Sequence, residues 1–378
     1  MKIAAVIYKF FPYGGVQLDF LRIVEELLSR GHSVKVFATQ WEGELPPHVE
    51  LHLVDVSGSS NHARMFDFGR RAAALTSRGG FDLVFGANRV PGLDVYFSGD
   101  NCFKARSIRE RSWLYRLMPR CRTYCKLEES VFARGQKCKI MLIVPGQQPD
   151  FELFYHTEPS RFMLLPPGIP PDRCRPDNAA GIRAAKRAEL GADENTILLL
   201  QIGSGFATKG VDRSIRAVAA LPSAWRSQVR FLVVGRDNPA RYKRLAARLG
   251  VADHVEFLGG RNDVPALLLA ADLMLHPAVN DAAAAVLAEA IVAGLPAICT
   301  ANCGFAVLIT QARSGVVIPE PFKQDDLNRR LGKMLETPAQ LQAYQDNAIL
   351  YAGNADFFGR PAAAVDYMER LAAEKREK

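Results

Sequence analysis

Strand-like apolar runs alternate with amphipathic helical patterns along most of this 378-residue chain, and the alternation occurs twice. Such alternation is typical of parallel sheets whose faces are covered by the connecting helices. The first series begins with a strand over residues 2–7, a helix over Val16–Arg30 and a strand over 33–38; a helix over Met65–Arg78 follows. The second begins with a strand over residues 196–202 and includes a helix over Ala282–Ala293. The pattern predicts an α/β fold with doubly wound sheets.

A proline-rich segment separates the two series. Residues 166–171 are Pro-Pro-Gly-Ile-Pro-Pro, which favours a stiff, extended connection. We therefore predict an N-terminal domain over residues 1–166, a C-terminal domain over 167–357, and a terminal helix over 358–378 that could cross back to the first domain. Two doubly wound domains imply a central cleft, because ligands bind outside the carboxyl ends of parallel strands.

Composition excludes several classes of protein. Hydrophobic residues make up 48% of the chain and charged residues 23%, which is typical of a packed globular protein and not of a disordered one. No apolar run approaches the roughly 18 residues needed to span a bilayer. The sequence begins Met-Lys-Ile without a secretory leader, so we expect a cytoplasmic protein. The seven cysteines lack zinc-site spacing and are expected to be reduced.

Most of the net charge of +8 comes from one segment, residues 104–126. This basic segment contains a single acid, Glu110, and eight bases: Lys104, Arg106, Arg109, Arg111, Arg116, Arg120, Arg122 and Lys126. Apolar residues such as Trp113 and Leu117 recur among them at helical spacing, with Pro119 as a kink or a second helix start. A basic amphipathic helix of this kind fits the surface of an anionic membrane.

Two other interpretations of the basic segment remain open. It could be an ordinary surface helix whose apolar stripe faces the core, since every surface helix needs such a stripe. Nucleic-acid binding is disfavoured, because no zinc finger, basic zipper or RNA-recognition signature accompanies the charge.

Glycines follow the first strand of each series and could admit a phosphate. Gly14 and Gly15 open the first helix, but the full dinucleotide fingerprint is absent, which disfavours hydride chemistry. Asp19, in the first turn of that helix, could interact with the helix dipole or face the cleft. The second series has Gly203 and Lys209 in a loop before a helix; it lacks the Walker order, and an ordinary turn with a solvated lysine is the alternative.

A pair of carboxylates marks another candidate site. Asp281 precedes the helix over Ala282–Ala293 and Glu289 lies within it, eight residues later. Carboxylates accept hydrogen bonds from sugar hydroxyls. The alternative is a helix-start acid together with a surface acid.

Seven blocks of sequence, in one order, carry a resemblance that covers nearly the whole chain. The chain resembles the retaining GT-B glycosyltransferases of family 4, most closely those that add glucose to the lipopolysaccharide core. The blocks are residues 8–20 (YKFFPYGGVQLDF), 41–43 (WEG), 91–97 (PGLDVYF), 165–169 (LPPGI), 209–214 (KGVDRS), 260–263 (GRND) and 294–296 (GLP).

The resemblance implies two Rossmann-like domains facing a central cleft, with the acceptor bound by the first and the nucleotide sugar by the second. It implies hexose transfer, with UDP-glucose as donor and an inner-core heptose of lipopolysaccharide as acceptor, and neither metal nor cofactor. Anionic lipid of the inner membrane would be a further partner, with the protein on its cytoplasmic face, and nucleic acid would not be one.

Particular residues take roles from the resemblance. Those expected at the donor are Gly14, Gly15, Arg173, Gly203, Lys209, Arg261, Asp281 and Glu289. Those expected to act in catalysis are Asp19, Lys209 and Asp281. The implied mechanism is a front-face attack in which the leaving phosphate accepts the proton of the acceptor, since no carboxylate pair is placed as in retaining glycosidases.

Two departures from the family pattern stand out. Asp281 occupies a position where relatives usually have Glu, and four alanines follow it where a Gly is common. Thr208 precedes Lys209 where relatives often have a basic residue. The departures suggest one competing function, a catalytically inactive, membrane-associated binder of sugar nucleotides. A sugar-nucleotide epimerase of the same two-domain fold is the other.

Overall fold

A computed structural model describes residues 1–12 and 14–377, and the chain divides into two compact units. Unit 1 comprises Met1–Gly168 and Gly359–Lys378, and unit 2 comprises Ile169–Phe358. The C-terminal helix therefore belongs to unit 1, although unit 2 precedes it in the sequence. Tyr13, which precedes Gly14 and Gly15, lies outside the described residues.

Unit 1 is built on parallel strands. Its strands are β1 (Lys2–Val6), β2 (Lys9–Phe10), β3 (Ser33–Ala38), β4 (Gln40–Trp41), β5 (Glu50–Leu53), β6 (Leu83–Gly86), β7 (Val95–Ser98), β8 (Lys139–Leu142) and β9 (Phe162–Leu164). Its helices are α1 (Gly15–Ser29), α2 (Asn61–Arg78), α3 (Phe103–Arg109), α4 (Trp113–Leu117), α5 (Pro119–Phe132), α6 (Gln148–Tyr155) and, at the C-terminus, α16 (Arg360–Arg376).

The main sheet of unit 1 has the order β5-β3-β1-β6-β7-β8-β9, and β2 pairs with β4 separately. All of these pairings are parallel, with Val6 opposite Phe37 on one side and Gly86 on the other. Successive strands are added on one side of β1 up to β5 and on its other side from β6 onward, so the order of strands reverses between β1 and β6. Such a reversal opens a crevice at the carboxyl ends of the two strands.

Unit 2 repeats this plan. Its strands are β10 (Ile197–Ile202), β11 (Val229–Val234), β12 (Val255–Gly259), β13 (Leu273–His276), β14 (Ala297–Thr300) and β15 (Gly315–Ile318). Its helices are α7 (Ala179–Glu189), α8 (Val211–Ala219), α9 (Ser223–Arg226), α10 (Ala240–Arg248), α11 (Val264–Ala270), α12 (Ala285–Ala293), α13 (Ala306–Ala312), α14 (Gln324–Glu336) and α15 (Pro338–Asn354). The strands form a parallel sheet of order β12-β11-β10-β13-β14-β15, which reverses between β10 and β13.

Burial explains why these sequences form these elements. The interior of β10, Leu198 to Leu200, is fully buried, as expected for a strand covered by helices on both faces. On α1 the buried side chains are Phe20, Ile23, Val24 and Leu27, the set that the helical spacing predicts. The doubly wound α/β prediction is confirmed.

Some local predictions are wrong. The basic segment forms three helices, α3 to α5, because the chain also breaks at residues 110–112, and Pro119 is the first residue of α5. Helix α12 begins at Ala285 and not at Ala282, since Ala284 adopts a left-handed conformation with φ 56°. Asp19 is the fifth residue of α1 and lies beyond its first turn. The predicted interaction with the helix dipole in the first turn is therefore wrong.

The helices and the cysteines can be compared with the predictions about membrane spans and reduced thiols. Within residues 1–12 and 14–377, no helix combines the length and apolar character needed to cross a bilayer. The seven cysteines are free; Cys174 is exposed, Cys125 is half-buried and the others are buried.

Candidate functional site

The carboxyl ends of β10 and β13, where the sheet of unit 2 reverses, bring together two of the predicted site residues. Lys209 follows β10, and its Nζ lies 2.5 Å from Oδ2 of Asp281, which follows β13. Both side chains are largely buried, with 20% of Lys209 and 13% of Asp281 exposed. The structure therefore joins the predicted phosphate loop and the predicted sugar-binding carboxylate in one ion pair.

Glycines make room for this ion pair. Gly203 has φ 138°, and a Cβ added there would lie 3.1 Å from Cε of Lys209, so the lysine stem passes directly over it. Gly210 has φ 70°, and a Cβ there would lie 2.1 Å from the carbonyl oxygen of Pro277. Only glycine allows this approach of the two loops. The backbone thus holds Lys209 beside the loop that carries Asp281.

His276 holds the carboxylate of Asp281 in place. It is fully buried at the end of β13, and its Nε2 lies 2.9 Å from Oδ2 of Asp281. The backbone N–H of Ala284 donates to Oδ1 at 3.1 Å. Burial acts to raise the pKa of Asp281, but the His276 hydrogen bond and the charge of Lys209 outweigh it and lower the pKa to about 2. Asp281 is a fixed anion at neutral pH.

Two other predicted donor residues lie around α12. Glu289 is in the second turn of that helix. Arg173 ends a short 3₁₀ turn that contacts α12, and Asp172 lies 3.7 Å from its Nε. Nε and Nη1 of Arg173 are buried and have no hydrogen-bond acceptor among the described residues. A buried guanidinium with unused donors is suited to an anionic ligand.

Arg261 has a different environment. It follows β12 and makes a bidentate contact with Asp263, with Nε at 2.7 Å from Oδ1 and Nη2 at 2.6 Å from Oδ2. Lys186 also binds Asp263, at 2.8 Å. The hydrogen bonds from Arg261 to Asp263 raise the pKa of Arg261. The structure does not join Arg261 to the Lys209–Asp281 pair, and its role at the nucleotide stays a prediction.

The candidates of unit 1 lie at the start of α1. Gly14 is the N-cap, where a Cβ would lie 2.1 Å from the side chain of Gln17; a Cβ at Gly15 would meet nothing within 4 Å. Asp19 is bound by Arg360 of α16, with Nη1 at 2.6 Å from Oδ2. Burial raises the pKa of Asp19, against the lowering effect of Arg360. This contact ties the returning C-terminal helix to α1, and the catalytic role of Asp19 stays a prediction.

The middle of the basic segment, helix α4 and Met118 after it, exposes its large apolar side chains. Fractional exposure is 64% for Trp113, 57% for Leu114, 52% for Leu117 and 50% for Met118. A stripe on α4 that packs on the core is therefore excluded. Of the bases, Arg109 is held by Asp150 at 2.7 Å and Lys104 is half-buried, and the others are exposed.

Sequence reasoning missed several polar residues at strand ends. In unit 2 these are His276 and Gln201, whose Nε2 donates to the carbonyl of Lys209 at 2.7 Å. In unit 1, Asn88 and Arg89 follow β6, and Arg89 pairs with the fully buried Glu128 at 2.7 Å. These residues could have been found from the sequence, because each is a polar residue at or directly after the end of a buried apolar strand. No cluster of three or more His, Cys, Asp or Glu able to hold a metal occurs in the described part of the chain.

Comparison with known proteins gives two family matches. Residues 182–350 match the model described as glycosyl transferases group 1, and residues 13–100 match glycosyltransferase family 4. These segments contain Lys209, Asp281 and Glu289 in the second unit, and Gly14 and Asp19 in the first.

Individual relatives extend the match over nearly the whole chain. The lipopolysaccharide glucosyltransferase WaaG of Escherichia coli strain K12 is 44% identical over 366 residues, which covers 97% of this chain and 98% of that protein. A crystal structure of WaaG, described as a glycosyltransferase involved in lipopolysaccharide biosynthesis, has a TM-score of 0.88 at 43% identity and covers 97% of this chain and 99% of the other. A sucrose-phosphate synthase from Thermosynechococcus elongatus shares the fold, with a TM-score of 0.79 at 16% identity and coverage of 99% of each chain.

Proposed function

The chain belongs to the GT-B glycosyltransferases of the group that contains WaaG, and from that membership we propose that it transfers glucose from UDP-glucose to a heptose of the lipopolysaccharide inner core. The 44% identity over nearly the full length of a lipopolysaccharide glucosyltransferase carries this proposal. It also disfavours the inactive binder and the epimerase.

Lys209 has the main electrostatic role in the proposed reaction. The hydroxyl oxygen of the acceptor bonds to the anomeric carbon of glucose as the bond from that carbon to the diphosphate breaks. The proton of the hydroxyl passes to the departing phosphate oxygen, so the products are the glucosylated acceptor and UDP. Negative charge grows on the diphosphate, and a preorganised ammonium and backbone N–H groups stabilise it. Arg173, with unused buried donors, adds a second cation for the nucleotide.

Asp281 and Glu289 would bind hydroxyl groups of the donor. Asp281 is ionised and held by His276, so its carboxylate is oriented before the sugar arrives. Glu289 would accept from the ribose hydroxyls. Asp19, bound to Arg360 in unit 1, would face the donor and the acceptor together with Gly14 and Gly15.

Mass spectrometry of the acceptor tests the reaction. Truncated lipopolysaccharide that ends in the inner-core heptoses is incubated with each common nucleotide hexose in turn. We expect a mass increase of one hexose with UDP-glucose, and a Lys209→Met variant provides the matched control. If no nucleotide sugar is consumed above the level without enzyme, the proposed function is wrong.

We further propose that the basic segment binds the cytoplasmic face of the inner membrane, where the acceptor is anchored. Helix α4 carries exposed Trp113, Leu114 and Leu117 next to exposed arginines, a combination that suits the headgroup region of an anionic bilayer. Each base near such a surface contributes about 1 kcal/mol, and salt weakens that attraction.

Co-sedimentation with vesicles tests this binding. Binding should require phosphatidylglycerol and decrease with salt, and a Trp113→Ser/Leu117→Ser variant should lose most of it. Leu350→Ser is the matched control, since Leu350 is 66% exposed on α15 of unit 2. Equal binding to neutral and anionic vesicles, or equal losses in the two variants, would contradict the proposal.

A further inference from the structure

A cavity of about 450 Å³ lies in unit 1, at the point where its sheet reverses. Strand β2, which follows β1, contributes Lys9, and the loop after β6 contributes Asn88 and Arg89. Helix α2 adds Arg64, and the chain after β7 adds Asp100. In doubly wound sheets this crevice is where ligands bind. The donor residues of unit 2 occupy the corresponding position in their own sheet, which leaves this cavity for another ligand.

Cations without acidic partners line the cavity. Lys9 and Arg64 are exposed, and neither forms a salt bridge within the described residues. Nη2 of Arg64 lies 3.3 Å from Oδ1 of Asn61, which is a neutral side chain. Two cations without an acidic partner among the described residues, one on β2 and one on α2, line the same cavity and attract an anionic group into it.

The floor of the cavity is held rigidly and offers further donors. Arg89 is bound on one side by Glu128 at 2.7 Å and on the other by the backbone carbonyls of Asp100 and Asn101 at 3.0 and 2.9 Å. Its Nε is buried and has no acceptor among the described residues. Asn88 accepts a hydrogen bond from the N–H of Tyr8 at 2.6 Å through Oδ1, which leaves its Nδ2 group to donate.

From this arrangement we propose that the cavity binds an anionic sugar of the acceptor, with its phosphate or carboxylate held by Lys9 and Arg64. Asp100 also lines the cavity, and a carboxylate can accept hydrogen bonds from hydroxyl groups, so the lining suits a saccharide that carries an anion better than a bare phosphate. The inference rests on the proposed function for the identity of the acceptor, and it adds the chemical feature by which that acceptor is recognised.

Steady-state kinetics with a soluble acceptor tests the inference. Fatty acyl chains are removed from the acceptor so that membrane binding plays no part. Lys9→Gln, Arg64→Gln and the double variant are compared with Arg78→Gln, an exposed residue of the last turn of α2 that does not line the cavity. Arg89 is left unchanged, because its loss would leave Glu128 buried without a partner.

We expect each single variant to raise the acceptor KM about tenfold and the double variant about 100-fold, with the donor KM unchanged; tenfold is about the effect of one charged hydrogen bond. Arg78→Gln should match the wild type. Two modified acceptors identify the anion: one is dephosphorylated and the other has its carboxylates esterified. The modification that removes the relevant anion should raise the wild-type KM and abolish the difference between wild type and variants.

Other results would overturn the inference. An unchanged acceptor KM in the double variant, or the same increase with both modified acceptors as with the native one, means that Lys9 and Arg64 do not bind an anion of the acceptor. Calorimetric titration with the soluble acceptor separates this failure from failure of the proposed function. A wild type that binds the anionic saccharide through Lys9 and Arg64 but transfers no glucose keeps the site and contradicts the reaction.

Discussion

Asp281→Asn should make unit 2 less stable at neutral pH and leave it nearly unchanged in acid. An amide resembles a protonated carboxyl group, so the variant lacks only what ionisation of Asp281 contributes. The pKa of Asp281 is lowered from 3.8 to about 2, and at about 1.4 kcal/mol per pKa unit this corresponds to about 2 kcal/mol. Because the side chain is only 13% exposed, solvent screening removes little of that value.

The sign and the pH range follow from the lowered pKa. The folded state binds this proton more weakly than the unfolded state, so the stabilisation is complete above about pH 4 and is lost as the pH falls through about 2. The unfolding free energies of the wild type and Asp281→Asn should therefore differ by about 2 kcal/mol at pH 6 and converge toward pH 2. Lys209 and His276 are retained in both proteins, and so are all the other acids.

Fluorescence of Trp225 can follow unit 2 alone. The chain has three tryptophans, of which Trp41 and Trp113 belong to unit 1. Trp225 packs on the core of unit 2, so a background with Trp41→Phe and Trp113→Phe reports urea unfolding of that unit. Asp253→Asn, at an exposed acid, is the matched control. A difference that stays constant from pH 6 to pH 2.5, or that grows in acid, would refute the reasoning.

Three further outcomes are expected for variants of unit 2. Lys209→Met should lower kcat/KM by about 10²-fold or more in a folded protein, measured by release of UDP, and wild-type kinetics would remove this loop from the reaction. Glu289→Gln should raise the donor KM more than it lowers kcat, measured over a range of donor concentrations; a change confined to kcat would contradict a ribose contact. Gly210→Ala should lower the unfolding free energy by about 2 kcal/mol or more, because its Cβ would lie 2.1 Å from the Pro277 oxygen, whereas Gly332→Ala, with nothing within 4 Å on α14, should gain about 0.5–1 kcal/mol in the same urea titration.

The doubly wound architecture could be predicted because buried parallel strands require uninterrupted apolar runs. The residues of β10 and β15 show that pattern clearly, and the buried face of α1 follows from a spacing of three and four residues. Short elements carried no such signal. Strands β2 and β4 have two residues each, and α7 and α13 begin without a side-chain cap.

Side-chain partners were the part that the sequence could not supply. Lys209 and Asp281 are 72 residues apart, and only the reversal of strand order between β10 and β13 brings them into contact. Asp19 and Arg360 are 341 residues apart, joined by a helix that returns from the far end of the chain. Local patterns identify which residues follow strands, whereas the order of strands in the sheet decides which of those residues meet.

We predict that the ion pair allows a shorter carboxylate to take the place of Glu in the proposed reaction. In the structure both carboxylate oxygens of Asp281 accept hydrogen bonds. Oδ2 contacts Lys209 and His276, and Oδ1 accepts from the N–H of Ala284. A diphosphate that attracts the ammonium of Lys209 leaves His276 and Ala284 to keep the carboxylate in place. Oδ2 then has a lone pair for a sugar hydroxyl. We therefore predict that diphosphate binding and sugar binding are coupled, because the diphosphate would remove the Lys209 ammonium from Asp281 and a sugar hydroxyl would take its place as hydrogen-bond donor.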